Sequence, residues 1–238
     1  DYTDDFDYMH NMGIEIVVAI ARFWAQRVSF SNKHKKFVIL GVTGPNEYEN
    51  NVNNNWYTNY GASWCLRYAL KNLEIINESN IENFNSFNFE KGELDFWKKI
   101  TENMYYPFSE EHNLYMQDDG FEDKELIHVD EIPKRERPLN QNWSWDKILR
   151  SPYIKQGDFV QGIYYFEDEF SEEFIKNHFE FYEKYTVHES SLSASIHSVV
   201  ASHVNQIDKS YKYFLRSSRL DLDDYNKEIE QGLHITSM

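Results

Sequence analysis

One stretch of the sequence, from Trp56 to Asn77, constrains the fold more than any other. Apolar residues recur in it at every third or fourth position, and this spacing places them on one face of an α-helix. The face comprises Ala62, Cys65, Leu66, Ala69, Leu70, Leu73 and Ile76. An apolar face of this length must be covered by other elements of the fold. The stretch therefore predicts a long helix packed inside a helical domain.

Helical periodicity also appears before and after this stretch. Residues 9–28 carry apolar side chains on nearly every face, which predicts a buried helix. Residues 90–103 predict another helix, whereas residues 29–36 and 78–91 predict polar connections.

The second half of the chain begins without a clear period and then returns to helices. Residues 105–142 predict a long ordered loop or irregular strand, because they are rich in aromatic residues but lack periodicity. Helices resume at Trp143, and Ser171 and Asp208 are candidate N-caps. No segment shows a competing strand pattern, so the predicted fold class is all-α, with residues 1–238 in one domain.

Charge and cysteine content limit the partners and the compartment. The formal net charge of −16 argues against a nucleic-acid partner, and an anionic substrate would need a locally positive pocket. Cys65 is the single cysteine, which excludes an internal disulfide and indicates a reducing, cytoplasmic compartment. No apolar run reaches the ~20 residues of a membrane span, and the first residues show no signal peptide.

The segment from Gly41 to Tyr60 is the strongest candidate for a functional loop. It holds six asparagines between Asn46 and Asn55, with Glu47 among them. Amides donate and accept hydrogen bonds together and so match sugar hydroxyls, and aromatic rings cover the apolar faces of sugars. A glutamate among the amides of such a loop suits a general acid. Composition alone leaves an ordinary polar connection open.

Four long motifs stand in the chain in this order: GVTGPNEYENNVNNNWYTN, EEHNLYMQDDGF, SWDKILRSPYIKQGDFVQG and FYEKYTVHESSLSASIHS. Together they resemble the catalytic domain of the maltose, kojibiose and trehalose phosphorylases of glycoside hydrolase family 65. They occur in the family's order, which makes the resemblance specific. The resemblance implies part of an (α/α)6 barrel. The family's N-terminal β-sandwich, first barrel helices and C-terminal domain have no counterpart here, so we expect a fragment of a longer polypeptide, with residues 232–238 starting a further helix.

The resemblance implies inverting phosphorolysis of an α-glucosidic disaccharide. Glu47 occupies the family position of the general acid that protonates the leaving glycosidic oxygen. Because phosphate is itself the nucleophile, a second carboxylate is unnecessary and no cofactor is expected. Partial burial of Glu47 against Tyr48 and Trp56 would favour its protonated form. The form Asn46-Glu47-Tyr48-Glu49 favours maltose as the disaccharide.

The resemblance also implies an anion site. Lysine offers phosphate a point charge, glutamine an amide donor, and serines near a helix N-terminus offer hydroxyl and backbone donors. The implied phosphate ligands are Lys155, Gln156, Ser190, Ser191 and His234. The amide and aromatic residues Asn46, Tyr48 and Asn54 are candidate sugar contacts.

No metal site is expected from the sequence. His188 and His197 are two candidate ligands, but the spacing of the other residues supplies no third or fourth ligand.

Two other functions remain open at this point. The chain could be a non-catalytic helical domain that binds sugar weakly, or an inverting hydrolase on the same barrel with Glu189 as its base. The expected partners are a disaccharide and phosphate, with no nucleic acid or membrane, and a homodimer of the full-length protein stays open.

Overall fold

Helices dominate the computed structural model, which describes residues 5–224 and 229–235. The predicted all-α class is confirmed. These residues form two compact units, each with more contacts inside it than to the other. The first unit holds the described residues up to Leu40 together with Thr58–Tyr106, and the second holds Gly41–Tyr57 and the described residues from Pro107 onward. Whether residues 1–238 act as one domain stays a prediction.

The first unit is built mainly from helices. In chain order it contains α1 (Phe6–Tyr8), a π-helical segment (Met9–Gly13), α2 (Ile14–Arg27), strands β1 (Ser29–Ser31) and β2 (Lys36–Val38), most of α3 (Trp56–Ser79), α4 (Ile81–Ser86) and α5 (Glu93–Glu102).

The core of the first unit joins α2, the strands and α5. The side chain of Arg22 on α2 forms an ion pair with Glu93 at the start of α5 (Nε to Oε1, 2.8 Å). Phe37 in β2 exchanges backbone hydrogen bonds of 2.8 Å with Asn103 and Tyr105, which follow α5. On α3, five of the predicted stripe residues are buried, and they are Ala62, Leu66, Ala69, Leu73 and Ile76.

Helix α2 is not buried on all sides, and that prediction is wrong for the described residues. Its inner face buries Ile14, Val18 and Ala21. Ile16 and Phe23 on the opposite side are exposed. An apolar composition all round the helix therefore did not translate into burial all round.

Two predicted connections contain regular structure. Residues 29–36 belong to an antiparallel hairpin in which Ser29 pairs with Val38 and Ser31 with Lys36. Residues 78–91 contain α4, whose N-cap is Asn80, with its side chain accepting from the Asn83 N–H (3.2 Å). A hairpin of three-residue strands is too short to leave a readable alternation.

The second unit contains two short strands and a series of helices. In chain order they are β3 (Phe108–Ser109), β4 (Leu114–Tyr115), α6 (Leu139–Asn142), α7 (Trp145–Leu149), α8 (Phe159–Tyr165), α9 (Glu172–Tyr182), α10 (Ser193–His203), α11 (Ile207–Ser218) and α12 (Leu220–Asp223). As predicted, residues 105–142 are mostly an ordered loop, with brief 3-10 turns at Val129–Glu131 and Lys134–Glu136.

Aromatic stacking fills the centre of the second unit. The ring of Phe159 on α8 stacks on Trp56 (centroids 4.0 Å apart) and on Tyr182 of α9 (4.9 Å). Ser171 caps α9 as predicted, because its hydroxyl accepts from the Phe174 N–H at 3.2 Å. Asp208 is not the cap of α11, since Gln206 takes that position and Asp208 lies within the first turn.

Two points concern the chain end and membranes. The segment Gly232–His234 is not helical, and Thr236–Met238, where a further helix was expected to begin, lies outside the described residues. Among the residues that the structure describes, no helix has the length and apolarity to cross a bilayer.

The buried face of α3 yields a stability prediction. Leu73 is 1% exposed, whereas Ile75, two residues later, is 37% exposed. Leu73→Ala removes buried methyl groups and leaves a cavity, so we expect the free energy of unfolding to fall by about 3 kcal/mol. Ile75→Ala should cost less than about 1 kcal/mol. Urea denaturation of both variants checks this, and equal losses would contradict the assigned orientation of the helix.

Candidate active site

The part of the segment Gly41 to Tyr60 that precedes α3, here called the Glu47 loop, is closed at its base by backbone hydrogen bonds. Val42 and Val52 exchange two hydrogen bonds of 2.9 Å, and the Gly41 N–H donates to the Asn53 side chain at 3.0 Å. Asn51 and Asn54 both have φ of +54°, a conformation that asparagine tolerates better than most residues. The asparagines thus shape the loop backbone.

A buried carboxylate, Asp158, holds the loop from inside. Its Oδ2 accepts from the Asn46 N–H at 3.1 Å, and its Oδ1 accepts from the Asn55 amide at 2.9 Å. Burial raises the pKa of Asp158 to about 7, and these two hydrogen bonds oppose the rise. A Cβ on Gly44 would lie 2.1 Å from Asp158 Oδ2, so only glycine fits beside this carboxylate.

The side chain of Asn46 connects the Glu47 loop to residues 154–156, here called the Lys155 segment. Asn46 is fully buried, and its Oδ1 accepts from the Tyr48 N–H at 3.1 Å and from the Lys155 N–H at 2.9 Å. One amide oxygen therefore fixes the residues on both sides of Glu47 and the backbone of Lys155.

The Lys155 segment is also fixed from its other side. Ile154 pairs with the chain around Thr186, and the Glu189 N–H donates to the Lys155 carbonyl at 3.1 Å. The Gln156 amide donates to the Pro45 carbonyl at 2.8 Å. Three segments that are far apart in sequence thus converge on one place.

The converging segments bring the side chains of Glu47 and Lys155 into an ion pair. The Glu47 side chain is 55% exposed and that of Lys155 is 22% exposed. The expected burial of Glu47 against Tyr48 and Trp56 is therefore wrong. Both aromatic side chains point inward, where Tyr48 packs in a core cluster with Ile132, Leu139, Ile148, Tyr153 and Val187.

Glu189 lies behind the loop as a hydrogen-bond acceptor. Its Oε2 accepts from the Tyr48 hydroxyl at 2.6 Å and from the Leu139 N–H at 2.8 Å. Burial raises the pKa of Glu189, although these hydrogen bonds oppose the rise. Burial and the hydrogen bond to Glu189 also raise the pKa of the Tyr48 phenol above its usual value.

The two serines predicted for phosphate lie just before α10, in the turn that enters the helix. The Ser190 hydroxyl accepts from the Leu192 N–H at 3.2 Å, and its carbonyl accepts from the Ser193 N–H at 3.2 Å. Ser191 is partly buried in the same turn. Because Ser190 follows Glu189, the fold carries this turn to the Lys155 segment.

Two other predicted site residues, His234 and Asn54, form hydrogen bonds with aspartates. His234 Nδ1 lies 2.6 Å from Asp221 Oδ1, and the backbone N–H of His234 donates to Asp221 Oδ2 at 2.6 Å. Asn54 is buried and donates to Asp119 at 2.7 Å. The roles of His234 in phosphate binding and of Asn54 in sugar binding stay predictions.

Glu183, which is mostly buried, is a third candidate ligand that sequence spacing did not reveal. Glu183 lies beside His188 and His197, and the three ligand atoms are within 4.8 Å of one another, close enough for a metal ion. Glu183 also accepts from the Tyr213 hydroxyl, and Lys209 Nζ lies 3.6 Å from its Oε1. That ammonium would repel a cation, so we interpret the group as a hydrogen-bonded network.

Titration in this network follows from burial and pairing. Burial raises the pKa of Glu183, but the nearby imidazole of His188, whose Nε2 lies 3.6 Å from Oε2, and the hydrogen bond with His197 outweigh this effect and hold the pKa well below its usual range. Burial and the neighbouring His197 lower the pKa of His188 to about 4. A Cβ on Gly157 would lie 2.9 Å from His197 Nε2, so the network packs directly behind the Lys155–Gly157 segment.

A second buried acidic group supports the loop. Glu49 forms an ion pair with Lys124, and burial and the charge of Asp118 raise the pKa of Glu49 to about 7. Asp158, Glu183 and Asp118, which lie around the site, were not predicted from the sequence. Asp158 could have been identified from the sequence, because it directly precedes the apolar start of α8 within one of the four motifs.

The fit of Gly44 against Asp158 can be tested by adding one methyl group. Gly44→Ala would place a Cβ 2.1 Å from Asp158 Oδ2 and 2.6 Å from Asn55 Nδ2, so the carboxylate must move. We expect faster amide hydrogen exchange at Asn46 and a loss of roughly 1–3 kcal/mol in stability. Gly61→Ala is the control, since no atom lies within 4 Å of its added Cβ. Unchanged protection of Asn46 in Gly44→Ala would contradict the assignment.

Comparison with known proteins shows which family the chain belongs to. The chain is 54% identical over its whole length to maltose phosphorylase of Bacillus subtilis (strain 168) and covers 31% of that protein. It is 38% identical to α,α-trehalose phosphorylase of Thermoanaerobacter brockii, with 99% of this chain and 31% of that protein aligned. It therefore spans about a third of the length of these relatives.

A solved structure and a family description give the same result. A human-microbiome protein assigned to the kojibiose phosphorylases superposes on 98% of this chain and 32% of its own, with a TM-score of 0.89 and 35% identity. This match confirms the predicted fold, that of the corresponding part of such a catalytic domain. Residues 1–238 match the glycosyl hydrolase family 65 central catalytic domain. The chain thus belongs to glycoside hydrolase family 65, within its central catalytic domain.

Proposed function

We propose that the full-length protein containing this chain catalyses the inverting phosphorolysis of an α-glucosidic disaccharide, with maltose as the substrate. The products are β-glucose 1-phosphate and glucose. The observation that carries the proposal is the contact between Glu47 and Lys155 on a rigid frame. It brings a carboxyl group for proton donation next to an ammonium group for phosphate.

The proposed reaction needs one proton and one nucleophile. The carboxyl group of Glu47 gives its proton to the glycosidic oxygen as the bond from that oxygen to C1 breaks. A phosphate oxygen forms the new bond to C1 from the opposite face, which inverts the configuration. Since phosphate arrives already anionic, the reaction needs neither a general base nor a resident cofactor.

The proposed phosphate site combines a charge with hydroxyl donors. Lys155 supplies the ammonium group, and the turn at Ser190 and Ser191, carried to this place by the Glu189–Lys155 hydrogen bond, supplies hydroxyls. Gln156 already donates to the Pro45 carbonyl, so its amide first serves to hold the loop. His234 would have to leave Asp221 to reach phosphate.

The choice of maltose rests on sequence similarity. The relative named as a maltose phosphorylase is 54% identical to this chain, whereas the relatives named as trehalose and kojibiose phosphorylases are 38% and 35% identical. Glu49, part of the maltose-type motif, is buried against Lys124. Its effect on substrate choice would therefore act through the shape of the loop.

The geometry does not favour the hydrolase alternative. A hydrolase on this frame would need Glu189 as the base that activates water. Glu189 instead accepts from Tyr48 and Leu139 through Oε2, which gives it a role in positioning the loop.

Removing the carboxyl proton tests the assignment of the general acid. Glu47→Gln in the full-length protein should lower kcat for maltose phosphorolysis by about 10²–10⁴-fold, the usual contribution of general acid catalysis. With α-glucosyl fluoride and phosphate the loss should be small, because fluoride leaves without a proton. The exposed Glu173→Gln serves as a control for the loss of one charge. Near-normal maltose turnover by Glu47→Gln would rule out the proposed role.

A further inference from the structure

The Glu47–Lys155 ion pair occupies both groups that the proposed reaction requires. A carboxylate that is paired with an ammonium group is stabilised in its unprotonated form and has no proton to give. The ammonium group, in turn, is engaged by the carboxylate and not by phosphate. The pair must therefore open before the reaction can begin.

Lys155 can change partner without any movement of the backbone. Its N–H donates to Asn46 Oδ1 at 2.9 Å, and its carbonyl accepts from the Glu189 N–H at 3.1 Å. These two bonds fix the backbone on both sides of the residue. The flexible four-carbon side chain beyond them can swing its charge between two neighbouring acceptors.

Glu47 is held in a similar way and remains open to water. The N–H groups of Asn46 and Tyr48, on either side of it, donate to Asp158 and to Asn46 Oδ1. Its own side chain is 55% exposed, so a proton can reach the carboxylate directly from solvent.

We propose that phosphate, on binding to Lys155, displaces Glu47 from the ion pair and causes Glu47 to take up one proton from solvent. The general acid then becomes loaded only when the nucleophile is in place. This inference rests on the proposed function, because it assigns phosphate to Lys155 and proton donation to Glu47.

The charges at the site balance in this exchange. Before binding, one carboxylate and one ammonium group neutralise each other. After binding, the ammonium group faces a phosphate dianion and the carboxyl group is neutral. Without proton uptake, a carboxylate and a dianion would share one ammonium group and repel each other.

The exchange also explains why water does not act as the nucleophile in place of phosphate. When phosphate is absent, Glu47 stays paired and unprotonated, so the glycosidic oxygen cannot receive a proton. A water molecule that enters in place of phosphate carries no charge with which to separate the pair. Hydrolysis is therefore suppressed by the state of the acid as well as by exclusion of water.

Lys155 pairs with Glu47, and the charge of Glu47 acts on the Tyr48 phenol. Asp158, Glu49 and Glu189 support the same loop, and burial raises the pKa of each of these carboxyl groups. Burial and the hydrogen bond to Glu189 hold the pKa of Tyr48 above its usual value, so its phenol stays neutral up to about pH 9. Because those three carboxyl groups are also able to take up a proton, the pH dependence of anion binding in Glu47→Gln decides whether Glu47 is the group that does so.

Sulfate is the sharpest probe, because it resembles phosphate but remains a dianion throughout the neutral range. Its association constant with the full-length protein should fall as the pH rises above about 5, and the slope should approach tenfold per pH unit wherever the complex holds one proton more than the free protein. Calorimetry in two buffers of different ionisation enthalpy should count about one proton per sulfate. Glu47→Gln should bind sulfate at least as tightly, without pH dependence, and Glu173→Gln should behave as wild type.

A pH-independent sulfate affinity in the wild type, or an unchanged slope in Glu47→Gln, would overturn the inference. Either result could coexist with an inactive Glu47→Gln enzyme, in which case the proposed function stands and only the coupling fails. Phosphate at the upper end of the pH range, where it is a dianion, provides the second ligand. If neither anion binds, Lys155 is not an anion site and both proposals fail.

Discussion

The buried amide of Asn46 is the interaction on which the site depends. Its oxygen accepts from the backbone N–H groups of Tyr48 and Lys155, while the backbone N–H of Asn46 donates to Asp158. Because Asn46 is fully buried, water cannot replace these bonds, and each donor left unsatisfied would cost about 1–3 kcal/mol. The meeting of Glu47 and Lys155, which are far apart in sequence, follows from this one side chain.

Three carboxylates around the site are matched by donors or by a counter-charge. Asp158 receives two N–H groups, Glu49 pairs with Lys124, and Glu183 collects His188, His197 and Tyr213. Burying a carboxylate without such partners would be expensive. In return, these groups hold segments that have little regular structure of their own, and a loop needs such support to position a catalytic side chain.

Local pattern predicted the helices well and the supports of the site poorly. The stripe on α3 and the cap at Ser171 are set by neighbours in sequence, so their spacing could be read directly. Asp158 and Glu183 act on partners far along the chain, and no local period records such pairings. The burial of Tyr48, a candidate sugar contact, was not predicted, because composition does not tell which way a loop side chain points.

The most direct test of the central claim is the catalytic efficiency of Asn46→Ala toward phosphate in the full-length protein. Loss of the amide frees both the Glu47 loop and Lys155, and a misplacement of about 1 Å can cost about 100-fold. Asn59→Ala is the matched control, because Asn59 is equally buried and donates to the Tyr105 carbonyl at 2.8 Å. We expect kcat/KM for phosphate to fall about 100-fold in Asn46→Ala and to stay near wild type in Asn59→Ala. A wild-type value in Asn46→Ala would contradict the account.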